Sequence, residues 1–262
     1  MALNLLFLCQ ESRIVRMHIF SVKVLTGWLA IMKKVLTGIL MFDIVMGILC
    51  LWVGIKKQEP GKPENDRPVV SREVFAENIK KIALTFDDGP HPKYTEQLLD
   101  GLKERNVVAT FFVTGENAEN YPEIIQREQA EGHLIGNHTY SHIQLTSRNR
   151  ETFREELVKT NEILEEITGE KVSFVRPPYG SWDKSFEKEL NMFPVLWNID
   201  PLDWCSHNAE CIAARVVEKA GDGDIILMHD YYDTSVIAAL EVIDALRGEG
   251  FQFVTVEELL FD

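Results

Sequence analysis

The chain has 262 residues, 45% of them apolar and 26% charged. That is enough for one globular domain with a sizeable core, plus something extra. A net charge of −14, with no basic block to meet a phosphate backbone, argues against a nucleic-acid partner and disfavours a polyanionic substrate; neutral sugar polymers and small molecules stay open.

Residues 1–57 stand apart. Val35–Ile55 is almost wholly apolar and close to the ~20 residues that cross a bilayer as helix. Lys33 and Lys34 precede it, Lys56 and Lys57 follow it, and Asp43 is the one charge inside, at a real insertion cost. A core helix rarely has lysine pairs at both ends. A cleaved signal peptide is the rival, but it wants small residues before its cleavage point. Leu49, Cys50, Leu51 and Trp52 do not supply them. The expectation is an uncleaved, single-pass membrane-anchor helix with the rest of the chain outside the cell; secretion after signal cleavage is the alternative. Basic residues on both sides make the orientation signal weak. Met17–Met32 is a poorer apolar stretch broken by Lys23. Met32-Lys33-Lys34 ahead of an apolar run has the form of an export signal's start, so translation from Met32 or Met17 is expected. Detection of Met1 or Ala2 in the mature protein by mass spectrometry refutes it.

Gln58–Arg67 has prolines, a glycine and charges but no apolar side chain, which is linker composition. The expected organisation is an anchor region at 1–57, a linker at 58–78 and a folded domain at 79–262. Of four cysteines, Cys9 and Cys50 lie in the apolar region, and Cys205 and Cys211 flank a polar stretch. No Cys-x-x-Cys pair exists, and a Cys205–Cys211 disulfide stays open if this part is extracellular.

From Ile82 the pattern is regular. Ile82–Phe86, Val107–Thr114, Leu134–Asn137, Val172–Arg176, Val195–Ile199, Ile225–His229 and Phe251–Val256 read as strands. Helical spacing marks Thr95–Arg105, Tyr121–Glu131, a long segment from Phe153 that stops at Gly169, Asn208–Ala220 and Ser235–Arg247. Strands alternating with helices predict a parallel α/β sheet. Polar motifs follow several different strands at their C-terminal ends, which favours an imperfect barrel of fewer than eight units over an open doubly wound sheet.

Thr85-Phe86-Asp87-Asp88-Gly89-Pro90 ends the first strand with two adjacent carboxylates before a turn. Such a turn can send the two acids to separate jobs, one on a metal and one on a proton. His138-Thr139-Tyr140-Ser141-His142 follows the third strand; histidines at i and i+4 share a face if the segment is helical, roughly 6 Å apart. With a carboxylate such as Asp88 they make a His₂Asp set, the pattern of a catalytic zinc with one position open. Arg176-Pro177-Pro178-Tyr179-Gly180 is a rigid turn that can aim a backbone N–H at an oxyanion, and Arg176 can hold a carboxylate ionised. Asp200-Pro201-Leu202-Asp203-Trp204 and Leu227-Met228-His229-Asp230 complete the series. A strand-end histidine held by an aspartate can serve as a general acid.

These five motifs, in this order, resemble those of the polysaccharide deacetylases, carbohydrate esterase family four, over Ile79 to the C-terminus. The resemblance implies a distorted (β/α)7 TIM-like barrel that removes N-acetyl groups from N-acetylglucosamine units of a polysaccharide. It implies Asp87 as general base, Arg176 as its partner, and Asp88, His138 and His142 as ligands of a divalent metal, most often zinc. It further implies the Tyr179 backbone N–H at the oxyanion, Asp203 on the general acid His229, and Trp204 with Leu227 around the acetyl methyl. Peptidoglycan is the first expected substrate, with chitin oligosaccharides or xylan as alternatives, and a monomer is expected. Two more distant readings are a two-histidine, one-carboxylate iron oxygenase and a non-catalytic wall-binding protein. Asp87 argues against the first, and the presence of both Asp87 and His229 against the second.

Overall fold

The computed structural model describes residues 79–261. The expected membrane anchor and linker lie outside them. Among the described residues no helix is long and apolar enough to cross a membrane.

Seven parallel strands form one curled sheet: β1 (Lys80–Asp87), β2 (Thr110–Val113), β3 (Leu134–Asn137), β4 (Phe174–Val175), β5 (Phe193–Pro194), β6 (Ile225–His229) and β7 (Phe251–Val254). Neighbours run β5-β4-β3-β2-β1-β6. A bridge from Ile199 to Ile226 ties the segment after β5 to β6, so the sheet curls round on itself. β7 stands aside and pairs with the first half of β1, Lys80–Ala83. The helices are α1 (Tyr94–Arg105), α2 (Gly115–Asn120), α3 (Pro122–Ala130), α4 (Arg150–Thr168), α5 (Ser185–Leu190), α6 (Ala209–Lys219), α7 (Asp233–Gly248) and α8 (Val256–Phe261).

Strand alternation divides the core in two. Ile82, Leu84 and Phe86 of β1, Phe111 and Val113 of β2, and Ile226 and Met228 of β6 pack outward with helical leucines, isoleucines and valines. Ala83, Phe112, Phe174, Val195, Ile225 and Val256 fill the inside. Thr85 pairs with Leu227 and Asp87 with His229 in the β1–β6 register, two and four positions beyond Ala83 and Ile225. The same alternation that buries Ala83 and Ile225 thus brings a carboxylate and an imidazole to the inner top of the barrel.

The expected strands at Val172–Arg176 and Val195–Ile199 shrink to two residues each, the second displaced to Phe193–Pro194. Pro177 and Pro178 follow one and Pro194 lies inside the other, and proline gives no N–H to a ladder. Helices α2, α5 and α8 were not anticipated; each has only 6 residues, too short to establish helical periodicity. The long helix does stop at Gly169, which takes a φ of 73° and donates its N–H to the Glu165 carbonyl.

Candidate active site

The ends of β1, β3, β4 and β6 meet at the C-terminal rim of the barrel. β1 delivers Asp87, which is 3% exposed. Its Oδ1 accepts a hydrogen bond from Arg176 at 2.8 Å. Arg176 itself is fully buried inside the barrel, donating also to the Val195 carbonyl at 3.1 Å, with its guanidinium 4.2 Å from the Phe112 ring centroid. A third hydrogen bond runs from Arg176 to Thr85 Oγ1, and the Thr85 hydroxyl donates in turn to the Ile226 carbonyl. Each face of this buried cation therefore has a partner.

Asp88 leaves the strand alternation through a left-handed backbone, φ 73°. That turn sends the two adjacent acids to different partners. Asp88 Oδ1 lies 3.4 Å from Nε2 of His138 and 3.4 Å from Nε2 of His142. Ligand atoms from all three residues lie within 4.8 Å of one another. His138 Nδ1–H donates to the Arg176 carbonyl at 2.6 Å, which turns Nε2 toward Asp88. The segment 138–142 is not helical. It is irregular, and left-handed φ values at Thr139 (63°) and His142 (58°) fold the second histidine back onto the first.

Electrostatics favour a cation here. Burial opposes charge on Asp88, but the imidazoles of His138, His142 and His229 outweigh it and hold the carboxyl at about 2. Burial works against charge on His138 as well; Asp87 and Asp88 overcome it and push that pKa up. Asp88 Oδ1 is buried and makes no hydrogen bond. A buried carboxylate oxygen with two imidazole nitrogens facing it is the donor set a divalent transition metal completes.

On the other side stands His229. Its Nδ1–H donates to Asp203 Oδ1 at 2.9 Å and its backbone N–H to Asp203 Oδ2 at 2.8 Å. Both oxygens of the buried Asp203 thus serve one histidine. Burial opposes charge on His229, but the Asp203 hydrogen bond and charge, with Asp87 and Asp88 behind them, raise its pKa to about 9. Nε2 lies 4.0 Å from Asp88 Oδ2.

A cavity of about 430 Å³ opens over these groups. Every expected site residue lines it except Arg176 and Asp203, which stand behind Asp87 and His229. Tyr179 sits at the rim with a left-handed φ of 59°, Trp204 is half exposed, and Leu227 is buried at the wall. Trp197 and Asp200 also line the cavity and were not anticipated, although both lie just before or within the Asp200–Trp204 motif. A second cavity of about 410 Å³, with Tyr140, Tyr231 and Tyr232 in its walls, shares Asp88 and His142 with the first. Asp230, the last letter of its motif, has a use the sequence did not suggest: Thr95 donates to its Oδ2, and a Cβ at Gly89 would fall 2.3 Å from that oxygen. Gly89 is therefore a close-approach glycine. Cys205 and Cys211 are both exposed and free, so the disulfide left open is not formed.

Comparison with known proteins agrees with this geometry. The family model for polysaccharide deacetylase matches residues 76–195. The chain is 42% identical over 205 residues to the Peptidoglycan-N-acetylmuramic acid deacetylase PdaC of Bacillus subtilis, covering 78% of this chain and 44% of that one. The solved structure of PdaC superposes with a TM-score of 0.67 at 44% identity, over 70% of this chain and 90% of the solved chain. A Peptidoglycan-N-acetylglucosamine deacetylase of Bacillus cereus is 41% identical over 189 residues, covering 70% of this chain and 69% of that protein. A pseudoenzyme of the same family from Bacillus anthracis, BA3943, superposes with a TM-score of 0.65 at 28% identity, over 70% of this chain and 66% of its own. The chain therefore spans less than half the length of the Bacillus subtilis relative and about two thirds of the Bacillus cereus one. The family model stops at Val195, but the β1–β6 register and the Asp203–His229 hydrogen bonds join the remainder to the same site. With its five motifs gathered on one barrel rim and relatives at this identity, the chain belongs to the polysaccharide deacetylase family.

Proposed function

We propose that this chain is a metal-dependent hydrolase that removes N-acetyl groups from N-acetylglucosamine units of a cell-wall polysaccharide, peptidoglycan first, releasing acetate. One observation carries the reading: a carboxylate pinned by a buried arginine and an imidazole pinned by a buried aspartate flank the same His₂Asp cluster. An acid and a base set on either side of one point suit addition of water followed by expulsion of an amine. An oxygenase has no use for that pair.

Asp88, His138 and His142 would hold the ion, zinc being the fit for two imidazoles and one carboxylate. When bound it supplies Lewis acidity toward water and the acetamide carbonyl. Asp87, paired with the buried Arg176, takes a proton from water as the oxygen–carbon bond forms. The rigid Pro177–Gly180 turn carries the Tyr179 backbone N–H to the rim, where it serves the oxyanion. His229 gives its Nε2 proton to the sugar nitrogen as the carbon–nitrogen bond breaks, and Asp203 holds the imidazolium in register. Acetate and a free amine result. Trp204 and Leu227 offer the acetyl methyl an apolar wall.

A polymer suits the cleft, since two cavities of similar size meet at Asp88 and His142. The relatives are named for different sugars of peptidoglycan, and identities of 42% and 41% do not rank them. A membrane anchor at Val35–Ile55 with the domain outside the cell would bring the site to the wall; we infer that arrangement from sequence. The test is acetate release by the zinc-loaded protein from peptidoglycan, chitin oligosaccharides and acetylated xylan side by side, with mass analysis of which peptidoglycan sugar is deacetylated. Release from none of them sinks the proposal and favours a wall-binding role.

A further inference from the structure

The candidate metal ligands come from two pieces of chain, the Asp88 turn and the 138–142 loop, and neither is regular structure. Asp88, Thr139 and His142 all have left-handed φ, a conformation that persists in such residues only where neighbours over-determine it. A single short segment, Thr114–Asn117, touches both pieces. The Thr114 backbone N–H donates to the Gly89 carbonyl at 3.1 Å, and the Asn117 side-chain amide donates to the Asp88 carbonyl at 2.8 Å. The Gly115 N–H donates to the Thr139 carbonyl at 2.9 Å and the Glu116 N–H to the Tyr140 carbonyl at 3.0 Å. Two bonds therefore hold the carboxylate turn, and two hold the histidine loop. Gly115 is where the segment presses closest: a Cβ there would come within 2.5 Å of Thr160 Oγ1 on α4, 2.7 Å of the Tyr140 ring and 3.2 Å of the Tyr140 Cα.

We propose that Thr114–Asn117 is the bracket that sets the distance between Asp88 and the two histidines, with Asn117 as its side-chain positioning residue for the metal. This rests on the metal reading above. Of the four bonds only that of Asn117 uses a side chain, so it is the one a substitution can remove without touching the backbone. Outer partners of metal ligands typically account for roughly 10–100-fold in affinity. Asn117 is only partly buried, and replacing it leaves the fold's core intact.

The experiment measures zinc affinity by chelator competition on the metal-free wild type, Asn117→Leu, Asn117→Ala and Gly115→Ala, with a thermal melt of each metal-free protein. Leucine keeps the volume and removes the donor; alanine is the fallback if leucine does not fold. Both Asn117 variants should bind zinc about 10–100-fold more weakly, with metal-free melting temperatures unchanged and with deacetylation restored by excess zinc. Gly115→Ala, whose methyl meets Thr160 of α4 before the histidine loop, should lower the metal-free melting temperature as well as zinc affinity, a pattern the Asn117 variants should not show. Asn117 variants that bind zinc as the wild type does overturn the bracket while leaving the metal reading intact. A wild type that takes no zinc overturns both. In the Asn117 variants, a loss of affinity matched by an equal loss of metal-free stability overturns the positioning role and leaves a structural one.

Discussion

At the scale of single residues the site rests on a division of labour between two neighbouring acids. Asp87 touches Arg176 and Asp88 faces the histidines. Asp87→Asn should therefore cost about 10²–10⁴ in kcat while zinc affinity stays near wild type, the usual scale for a lost proton acceptor; loss of zinc along with turnover would contradict the assignment. His229 gives a pH signature. Its folded pKa is raised to about 9 from an ordinary 6.5, so the acid form that the proposed mechanism needs is present below that value and is lost as pH rises through it. The same shift stabilises the fold fully below the unfolded pKa, and that contribution disappears as pH climbs to about 9. A bound cation cancels part of the Asp88 contribution, so the titration should fall when zinc is added. Asp203→Asn removes the main support and should bring the alkaline limb of activity down toward neutral pH. Imidazole titration by NMR, with and without zinc, reads both effects. An Asp203→Asn variant with an unmoved limb would detach His229 from Asp203.

At the scale of elements, the parts legible in sequence were those with a strong local code. The run before Asp87, the strand at Ile225–His229 and the stop at Gly169 all stand where the residues put them. The histidine pair was legible as a pair but not as a conformation. A spacing of four suggests a helix, whereas non-glycine residues at left-handed φ bring the rings together, and no sequence signal announces that. Asn117 went unread for a related reason: its helix is 6 residues long and its partner is a backbone carbonyl some 29 positions away. Trp197 lay in a stretch expected to be strand, and it lines the cavity because that stretch breaks after Pro194. Arg176 shows what one short element can govern. β4 is two residues long, yet the arginine after it holds Asp87, the Val195 carbonyl and, through Thr85, the β6 backbone. Arg176→Ala leaves Asp87 buried without its cation, and stability should drop by about 3–5 kcal/mol. Arg176→Lys should not restore it, because a point charge cannot satisfy several fixed directions. Chemical denaturation checks both, and a lysine variant at wild-type stability would refute the geometric argument.

At the scale of the whole molecule, the barrel collects its acids with an uneven cost, and the cost should be visible as pH-dependent stability. Asp230 is buried beside the Gly89 turn; burial is the main cause that lifts its pKa to about 7, although the Thr95 hydrogen bond pulls the other way. Glu128, on α3, is fully buried, neither of its carboxyl oxygens has a partner, and burial with the nearby Asp230 raises its pKa well above the usual range. Both groups are raised acids, so the sign is opposite to that of Asp88. Their neutral forms favour the fold, the benefit is complete below the unfolded carboxyl pKa of about 4, and it is lost as pH rises through the folded value. In the window between, the unfolded chain gives up a proton that the folded chain keeps, and each such group lowers stability by about 1.4 kcal/mol per pH unit. Glu128→Gln keeps the shape and removes the ionisation. Its stability relative to wild type should therefore climb as pH rises above the unfolded carboxyl pKa of about 4, by up to about 1.4 kcal/mol per pH unit until Glu128 ionises in the fold, while the His229 contribution, common to both proteins, cancels. Denaturant midpoints at a series of pH values measure the difference directly. A difference that stays flat with pH would mean that Glu128 is already ionised in the fold and has a partner its buried surroundings do not display.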